Sequence, residues 1–387
     1  MKITSVKSHV LRYELEKELG YSQQYYKFRT AHLVEVQTDE GITGWGECFG
    51  PGNIALANKF IVEEVIQPLI IGEDPLNKEH IWHKVYNLLR DSGQKGMPIQ
   101  ALSGIDSALW DILGKKGSEK PCVLDKEGKI RDISTHVGDL NPDHMNFETI
   151  SKLESVDLSS LPELSSSERI GSCVTKPGKF VAIGLNYSDH AAETGAEVPS
   201  EPIMFMKATS CIVGPNDDVE IVSGSKKLDW EVELGIVIGK ETKHISEDKA
   251  QDHILGYCLV NDVSEREWQI EKMGQWVKGK SHDTYGPIGP YLVTKDEIAD
   301  INNLKMSLDV NGNRMQTGNT STMIFNVNVI VSYVSKFMSL QPGDIITTGT
   351  PPGVGMGMKP QQFLKAGDTM KLSIENLGEQ NSKVVAL

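Results

Sequence analysis

The stretch Asp229-Trp230-Glu231-Val232-Glu233-Leu234-Gly235-Ile236-Val237-Ile238-Gly239 decides what kind of fold this chain forms. Its apolar residues occupy every second position from 230 to 238, which is the period of a half-buried β-strand. The opposite face of that strand carries the carboxylates of Asp229, Glu231 and Glu233 in a row. Three like charges on one strand face repel one another unless the face meets open water or a cation neutralises them. The cation alternative makes this segment a candidate metal site.

The composition is that of an acidic globular protein. The 387 residues are enough for two or three domains. A balance of 39% hydrophobic and 24% charged residues is ordinary for a chain with a sizeable core. The formal net charge of −14 repels phosphate backbones, so we expect no nucleic-acid partner. A small anionic substrate would need a metal ion or a local basic cluster to offset that charge.

Neither the cysteines nor the apolar runs indicate an exported or membrane protein. The five cysteines are widely spaced with no Cys-x-x-Cys, which favours reduced thiols over a disulfide framework or a zinc site. The first residues lack the long apolar run of a secretory signal. The run 327–334 is interrupted and too short to span a bilayer. We therefore expect a cytoplasmic protein with no membrane contact.

Residues 1–116 form the first predicted unit. Residues 31–38 alternate like a strand, Asp39-Glu40-Gly41 predicts a turn, and residues 42–47 return as the second arm of a hairpin. Helical spacing follows over 54–66, 76–90 and 99–113. The first of these helices is expected to stop before Pro68 and the last to end in a C-cap at Gly114.

Three segments give this unit a family resemblance. They are Met1-Lys2-Ile3-Thr4, Thr38-Asp39-Glu40-Gly41-Ile42-Thr43-Gly44-Trp45-Gly46-Glu47 and Ala101-Leu102-Ser103-Gly104-Ile105-Asp106-Ser107-Ala108-Leu109-Trp110-Asp111-Ile112. With them, the unit resembles the N-terminal capping domain of the enolase superfamily, in its mandelate-racemase-like sugar-acid dehydratase branch. That family continues into a barrel that supplies the catalytic lysines and the acidic metal ligands. Here the resemblance ends near Gly117 and no repeated βα pattern follows, so we do not predict enolase-type chemistry.

The chain changes character after this first unit. Residues 117–176 are polar and turn-rich, and we predict that they form a small N-terminal segment and linker of the next domain. From 177 to 387, short β runs separated by Gly and Pro dominate, with few helices between them. We therefore predict an α+β protein. An N-terminal antiparallel β-meander with helices is followed by a mostly β catalytic domain.

Asp262 is a further acidic candidate, at the end of the apolar run 254–260. It could cap a helix, with Glu265 completing a capping box, or it could join the acids of the strand. Arg266 and Gln269 follow at positions i+4 and i+7, which would place an acid, a cation and an amide on one helical face. A solvated helix face would give the same pattern, so both alternatives stay open.

His190 and Glu193 are candidates for a general base. They lie three residues apart at the start of a predicted helix and would share one face of it. A carboxylate beside an imidazole fixes its tautomer and raises its basicity, as a water-activating base requires. An exposed helical ion pair is the alternative interpretation.

Two glycine-rich segments add candidates. Lys280 lies in Gly279-Lys280-Ser281, where a lysine can approach a substrate oxygen closely, although most lysines are merely solvated. Thr350 lies in the turn 347–357, whose backbone N–H groups could bind a carboxylate. That turn lacks the Gly-Lys-Ser/Thr ending of a P-loop, so nucleotide phosphates are not implied. A tight structural loop is the alternative.

The order of these motifs resembles the fumarylacetoacetate hydrolase family from about Lys116 onward. The matching blocks are Gly184-Leu185-Asn186-Tyr187 with His190 and Glu193, Phe205-Met206-Lys207, Glu231-x-Glu233, Asn261-Asp262-Val263-Ser264-Glu265-Arg266, Gly279-Lys280-Ser281 and Thr348-Gly349-Thr350-Pro351. Within the family, the chain is most similar to the branch of 2,4-diketo-3-deoxy-L-fuconate hydrolases. Sequences of that branch are also labelled ureidoglycolate lyases, so the resemblance does not fix the substrate.

The resemblance implies a metal site and a set of catalytic residues. It assigns Glu231, Glu233 and Asp262 to a divalent ion, and all-oxygen ligands suit Mg²⁺ or Mn²⁺, with Ca²⁺ also possible. Asp229 lies outside the motif and is expected to support the ligands or to pair with a nearby Lys or Arg. The implied catalytic residues are His190, Glu193 and Lys280, and the implied substrate contacts are Lys207, Arg266, Gln269 and Thr350.

The reaction that the resemblance implies is metal-dependent hydrolytic C–C cleavage of a small anionic 2,4-diketo acid. A 2,4-diketo-3-deoxy sugar acid such as 2,4-diketo-3-deoxy-L-fuconate would give pyruvate and a hydroxy acid. Oxaloacetate decarboxylation, a ureidoglycolate lyase-type activity and a non-catalytic fused assembly module are the alternatives. A homodimer is also implied. The substrate beyond C4, the physiological metal and the role of the first unit stay open.

Overall fold

The computed structural model describes residues 1–21, 24–92, 95–116, 119–195 and 197–387 of the chain. They form two compact units, Met1–Glu119 and Lys120–Leu387, each with its own hydrophobic core. Gly117, where the second predicted segment begins, lies outside the described residues. None of the described helices combines the length and hydropathy needed to cross a membrane. All five cysteines are free thiols.

An antiparallel sheet and a set of helices make up the N-terminal unit. Within the described residues, the sheet has the strand order Ile3–Tyr21, Gln24–Thr38, Thr43–Cys48. The predicted hairpin is confirmed, because Gln37 pairs with Thr43 and Gly41 turns the chain with a φ of 78°, which glycine adopts readily. The helical segments are Ile54–Phe60, Ile61–Ile66, Gln67–Ile70, Lys78–Leu89 and Met97–Lys116.

Two predicted helix ends were wrong. The first helix does not stop before Pro68, because a π-helical segment, Ile61–Ile66, leads into a new helical turn, Gln67–Ile70. Pro68 lies in the first turn of that segment, where its missing N–H costs no hydrogen bond. Gly114 is not a C-cap, because the helix Met97–Lys116 runs past it. A glycine inside a helix costs only about 1 kcal/mol, which the packing of neighbouring apolar residues offsets.

The long helix Met97–Lys116 packs directly on the third strand through glycines. A Cβ on Gly104 would lie 2.3 Å from Sγ of Cys48, and a Cβ on Gly46 would lie 2.0 Å from the carbonyl oxygen of Gly104. Both separations are far inside van der Waals contact, so this close backbone approach requires glycine. Gly114 is on the same helix, but a Cβ there would meet no atom within 4 Å.

Two sheets dominate the C-terminal unit. Within the described residues, the first sheet has six strands in the order Val293–Thr294, Ile254–Asn261, Val232–Ile238, Ile345–Thr347, Phe180–Gly184, Ile203–Lys207. The second sheet has five strands in the order Asn313–Asn319, Lys305–Val310, Thr369–Ile374, Gly378–Ala386, Val219–Ile221. Short strand pairs add Cys122–Leu124, Ile130–Asp132, Ile212–Val213, Leu228–Asp229, Ser264–Glu265 and Gly286–Pro287. The α-helices are Phe147–Glu154, Ser188–Thr194, Val277–Lys280 and Val327–Val334. The predicted α+β class is confirmed.

The strand Val232–Ile238 is central in its sheet and is buried on both faces. The prediction of a half-buried strand was therefore wrong. Leu308 and Leu372 of the second sheet belong to the same hydrophobic core as this strand, so water reaches neither face. The second face also loses its polar character beyond Glu233, because positions 235, 237 and 239 are Gly, Val and Gly.

The pairing register of this strand brings Asp262 beside the Glu-x-Glu motif. Val232 lies opposite Asn261 in the antiparallel pair, and the N–H of Asp262 donates to the carbonyl oxygen of Glu231 at 3.0 Å. Glu231 and Asp262 are therefore neighbours across two chain segments at the same end of the sheet. Because a slip of one residue would turn every side chain to the other face, burial of both faces fixes this arrangement.

The glycine contacts of the N-terminal unit can be tested with two substitutions on one helix. Gly104→Ala is expected to lower the free energy of unfolding of this unit by about 1–3 kcal/mol, because its Cβ must displace Cys48. Gly114→Ala is expected to raise it by roughly 0.5–1 kcal/mol, because alanine is the better helix former and meets no neighbour. Urea unfolding followed by circular dichroism measures both. Equal effects of the two substitutions would contradict the close packing at Gly104.

Candidate active site

Three carboxylates converge at one end of the central sheet. Glu231, Glu233 and Asp262 each offer one oxygen, and these oxygens lie within 4.8 Å of one another. All three side chains are buried, with exposed fractions of 6%, 2% and 1%. Glu233 lies in the strand Val232–Ile238, whereas Glu231 and Asp262 lie in the connecting segments next to the paired strand ends, where the pairing register brings them together.

The cluster fits a hard divalent cation. At metal–oxygen distances of about 2.1 Å, the ligand oxygens of an octahedral site are separated by roughly 3.0 to 4.2 Å. One oxygen from each of the three carboxylates lies within 4.8 Å of the other two, which is close to that range. Three carboxylates without a thiolate or an imidazole favour Mg²⁺, Mn²⁺ or Ca²⁺ over softer metals.

Burial and mutual repulsion set the protonation of the cluster. Burial, followed by the charges of Asp262 and Glu231, raises the pKa of Glu233 well above its usual value. Burial also acts to raise the pKa of Glu231, but Arg266 and Lys280 outweigh it and hold this pKa well below its usual value. The cluster without an ion therefore favours the protonated form of Glu233.

Two buried lysines surround the carboxylates. Nζ of Lys280 lies 2.7 Å from Oε2 of Glu231 and 2.7 Å from Oδ2 of Asp262. Burial opposes the charge of Lys280, but Asp262 and Glu231 outweigh burial and raise its pKa, so this ammonium stays protonated. Nζ of Lys207 donates to Oδ1 of Asp262 at 2.5 Å and to the carbonyl oxygens of Val263 and Lys280.

The hydrogen bonds of Lys207 differ from those expected of a substrate-binding lysine. An ammonium has three N–H donors, and the three acceptors found among the described residues all belong to the protein. The arrangement therefore supports a role in holding Asp262 and the segment around Lys280 rather than the expected direct contact with substrate.

Arg266 hydrogen-bonds both to Glu231, a candidate metal ligand, and to Asp229, which is not one. Its Nη2 donates to Oε1 of Glu231 at 2.6 Å, its Nε to Oδ2 of Asp229 at 2.8 Å, and its Nη1 to Oε1 of Gln269 at 3.1 Å. Asp229 thus pairs with an arginine, which was one of its two expected roles.

The capping alternative for Asp262 is wrong, because Asp262 lies between the strands Ile254–Asn261 and Ser264–Glu265 rather than before a helix.

His190 and Glu193 form a second polar group on the short helix Ser188–Thr194. His190 Nδ1 lies 3.2 Å from Oε2 of Glu193, and only 6% of His190 is exposed. The pair is buried at His190, whereas 25% of the Glu193 side chain is exposed. Both oxygens of Glu193 also accept from the N–H of Gly353 at 3.1 Å, so this pair is attached to the glycine-rich turn.

Thr350 is bonded within the protein. Its hydroxyl donates to the carbonyl oxygen of Val232 at 3.0 Å and accepts from Nε2 of Gln316 at 2.8 Å. Because a hydroxyl has one proton, this arrangement leaves Thr350 no side-chain donor for a substrate carboxylate. Gly349 N–H donates to Oε2 of Glu233 at 3.0 Å, and Thr347 also donates to that oxygen.

Sequence patterns did not point to three further residues in this network. Gln316, in the strand Asn313–Asn319, holds both Thr350 and the N–H of Val232, yet it belongs to no motif. Phe205 and Trp276 are in edge-to-face contact at 5.1 Å, and Nζ of Lys280 lies 5.2 Å from the centre of the Phe205 ring. Phe205 and Trp276 stand in the quoted motif blocks or beside them, so aromatic residues next to a candidate lysine were the available signal.

Comparison with known proteins identifies the family. The model of the fumarylacetoacetate (FAA) hydrolase C-terminal domain matches residues 179–385, which include every candidate described above. The chain belongs to the fumarylacetoacetate hydrolase family. The mandelate racemase/muconate lactonizing enzyme N-terminal domain matches residues 22–122, in agreement with the resemblance of the first unit. As a member of this hydrolase family, the protein is an enzyme.

Relatives of the C-terminal unit are similar over nearly their whole length. A Burkholderia orbicola protein that carries a provisional hydrolase name is 58% identical over 268 residues, which are 69% of this chain and 95% of that protein. The fumarylacetoacetate hydrolase of Exiguobacterium antarcticum is 35% identical with a TM-score of 0.63, over 69% of this chain and 95% of that chain. Maleylpyruvate hydrolase of Sphingobium sp. SYK-6, in complex with manganese(II) and pyruvate, is 27% identical with a TM-score of 0.59, over 69% and 96%.

Glu233→Gln tests the metal assignment without an activity assay. The neutral amide resembles the protonated form that burial favours, and its oxygen can still accept from Thr347 and Gly349. We therefore expect an unchanged unfolding temperature and a fall in Mn²⁺ affinity of about tenfold or more, measured by titration calorimetry.

Glu265→Gln is the matched control. Glu265 is fully buried in the same unit, but its carboxylate accepts from Ser225 and from the N–H of Lys227 and Glu267. Its substitution should leave Mn²⁺ affinity within about threefold of the native value. Equal losses of affinity in both variants would show that the cluster is not the binding site.

Proposed function

We propose that this protein catalyses hydrolytic C–C cleavage of a 2,4-diketo acid to pyruvate and a hydroxy acid. The observation that carries the proposal is the convergence of Glu231, Glu233 and Asp262 next to the protonated ammonium of Lys280. A 2,4-diketo acid presents a carboxylate and two keto oxygens, which a cationic centre can hold. The maleylpyruvate hydrolase relative, which holds manganese(II) and pyruvate, supports a pyruvate-forming reaction at such a centre.

Glu231, Glu233 and Asp262 would hold Mg²⁺ or Mn²⁺, with Ca²⁺ as the third option. When bound, the ion would supply Lewis-acid polarisation of the substrate oxygens. Lys280 contributes a fixed positive charge at the same place, because Glu231 and Asp262 hold its ammonium. That charge would stabilise the pyruvate enolate that leaves when the C3–C4 bond breaks.

His190 is the base in this proposal. In the tautomer that this proposal requires, Nδ1 donates a hydrogen bond to Glu193 and Nε2 deprotonates the water that attacks the C4 carbonyl. Collapse of the tetrahedral adduct then breaks the C3–C4 bond, which leaves the hydroxy acid on the C4 side and the pyruvate enolate on the other. Return of the proton from His190 to C3 of the enolate gives pyruvate. Arg266 uses three of its five N–H donors on Asp229, Glu231 and Gln269. We propose that its other two, together with the amide of Gln269, contact the substrate.

The substrate that we favour is a 2,4-diketo-3-deoxy sugar acid such as 2,4-diketo-3-deoxy-L-fuconate. Both units support this choice by analogy, because each resembles a branch of its family that acts on sugar acids. Thr350 would contribute through its backbone and by fixing the turn, since its hydroxyl is bonded to Val232 and Gln316.

A substrate panel tests the reaction. Pyruvate release from several 2,4-diketo acids and from oxaloacetate would be measured with Mn²⁺ and with a chelator. We expect release from diketo acids in the presence of Mn²⁺ only. His190→Ala should lower that rate by about 10²–10⁴-fold, because the water-activating base is lost. His144→Ala, which removes an imidazole bonded to Asn141, is the control and should keep the native rate.

The same panel and a metal titration separate hydrolysis from decarboxylation and from a non-catalytic role. Oxaloacetate decarboxylation needs no water-activating base, so activity on oxaloacetate that survives in His190→Ala, without cleavage of any diketo acid, would replace the proposal by decarboxylation. Failure to bind Mn²⁺, Mg²⁺ or Ca²⁺ would favour a non-catalytic assembly module.

We also propose that the protein is a homodimer. The C-terminal unit exposes the apolar side chains Ile270, Met273 and Val277, with Met273 91% exposed, and apolar surface of this kind is typical of an interface. Sedimentation equilibrium should therefore give twice the chain mass of 42.7 kDa. Met273→Lys should shift the particle toward the single-chain mass. A native protein that sediments only as a single chain would contradict the proposal.

A further inference from the structure

Asp229 is a fully buried carboxylate that accepts four hydrogen bonds from N–H donors of the described residues. Oδ1 accepts from the N–H of Trp230 at 2.9 Å and of Gly355 at 2.7 Å. Oδ2 accepts from Nε of Arg266 at 2.8 Å and from the N–H of Met356 at 3.0 Å. No atom of Asp229 is exposed, so its charge is compensated by these donors and by the guanidinium rather than by water.

One arm of this network leads to the metal candidates. The guanidinium that Asp229 holds through Nε donates through Nη2 to Oε1 of Glu231 at 2.6 Å. Lys280 occupies the other oxygen of Glu231 at 2.7 Å. The carboxylate of Glu231 is therefore oriented from both sides, and on one side the orienting group is itself fixed by Asp229.

The other arm leads through the glycine-rich turn to the candidate base. Asp229 holds the N–H groups of Gly355 and Met356, and two residues earlier the N–H of Gly353 donates to Glu193, the partner of His190. The carbonyl oxygen of Gly353 accepts from Nε1 of Trp230 at 3.1 Å. A Cβ on Gly355 would lie 1.9 Å from the carbonyl oxygen of Gln362 and 2.9 Å from Oδ1 of Asp229, so the turn is tightly seated.

We propose that Asp229 is a positioning residue that links the two halves of the site. It fixes Arg266 against Glu231, and it seats the turn that holds Glu193 beside His190. Asp229 itself touches neither substrate nor metal. Its influence on metal binding rests on the cluster of carboxylates, and its influence on turnover rests on the proposed function.

Asparagine cannot replace Asp229 in this network. It has the same size but only one acceptor oxygen, whereas both positions of the carboxylate face two N–H donors each. In one orientation the NH₂ group of the introduced amide would face Arg266 and Met356, and in the other it would face Trp230 and Gly355. The first orientation loses the bonds from Arg266 and Met356, and the second loses the bond from Gly355, so the turn is weakened in both and the arginine arm is lost in one.

Asp229→Asn is therefore the test, with Asp344→Asn as the matched control. Asp344 is also fully buried and accepts from the N–H and Nζ of Lys179 and from the N–H of Gln341. Both variants should lower the unfolding temperature, because both leave buried N–H donors unpaired. Only Asp229→Asn should also lower Mn²⁺ affinity or kcat by about 10–100-fold.

The readouts are Mn²⁺ affinity by titration calorimetry, kcat and KM on the diketo acid that the panel identifies, and unfolding temperature. If Asp229→Asn matches Asp344→Asn within about twofold in Mn²⁺ affinity and kcat, the inference is overturned. If the native protein binds Mn²⁺ but cleaves no diketo acid, the proposed function fails, and Mn²⁺ affinity alone then decides the role of Asp229.

Gly355→Ala provides a second variant in case Asp229→Asn does not fold. The added Cβ would displace the glycine-rich turn away from Asp229. The hydrogen bond between Arg266 and Asp229 would stay in place. We expect kcat to fall by about tenfold or more while Mn²⁺ affinity stays within about threefold. A native kcat in Gly355→Ala would refute the link to the candidate base.

Discussion

Charge compensation in a buried space is the constraint on which the rest of this site depends. Among the residues that the structure describes, four carboxylates are buried here together with three cations. The carboxylates are Asp229, Glu231, Glu233 and Asp262, and the cations are Lys207, Lys280 and Arg266. Burial of an unpaired charge is costly, so the excess negative charge must be removed. Burial and neighbouring acids act in this direction by raising the pKa of Glu233, which favours its protonated form. A divalent ion would let Glu233 ionise and would leave one positive charge in excess, which a substrate carboxylate could offset.

Local sequence patterns predicted the parts of this site but not how they connect. The Glu-x-Glu alternation, the acid at the end of the run 254–260 and the spacing of His190 and Glu193 are all visible within a few residues. The N-terminal hairpin was equally local, because its strands and turn are consecutive. The burial of Val232–Ile238 on both faces was not predictable in this way, because it depends on a second sheet formed by residues far along the chain.

Long-range hydrogen bonds account for the remaining differences. Asp229 binds the N–H of Gly355, and Gln316 binds Thr350 and Val232, across separations that no local pattern encodes. The glycine-rich turn shows the consequence. Its glycines indicated a loop able to bind a carboxylate, and the carboxylates that it binds belong to Asp229, Glu193 and Glu233. The pattern thus indicated the right chemistry, but only the fold could show that the protein supplies the acids itself.

The net charge of −14 and the proposed anionic substrate are compatible for the same reason. Surface charges act through water and salt, and their effect fades beyond a Debye length of about 8 Å. The ammonium of Lys280 and the guanidinium of Arg266 lie within 3 Å of the candidate ligands and are buried with them. At such distances and in a medium of low polarisability, local charges outweigh distant ones. The electrostatic energy of a substrate carboxylate at this centre would therefore depend on the charges of a few buried groups. The net charge of the whole chain does not predict that local charge.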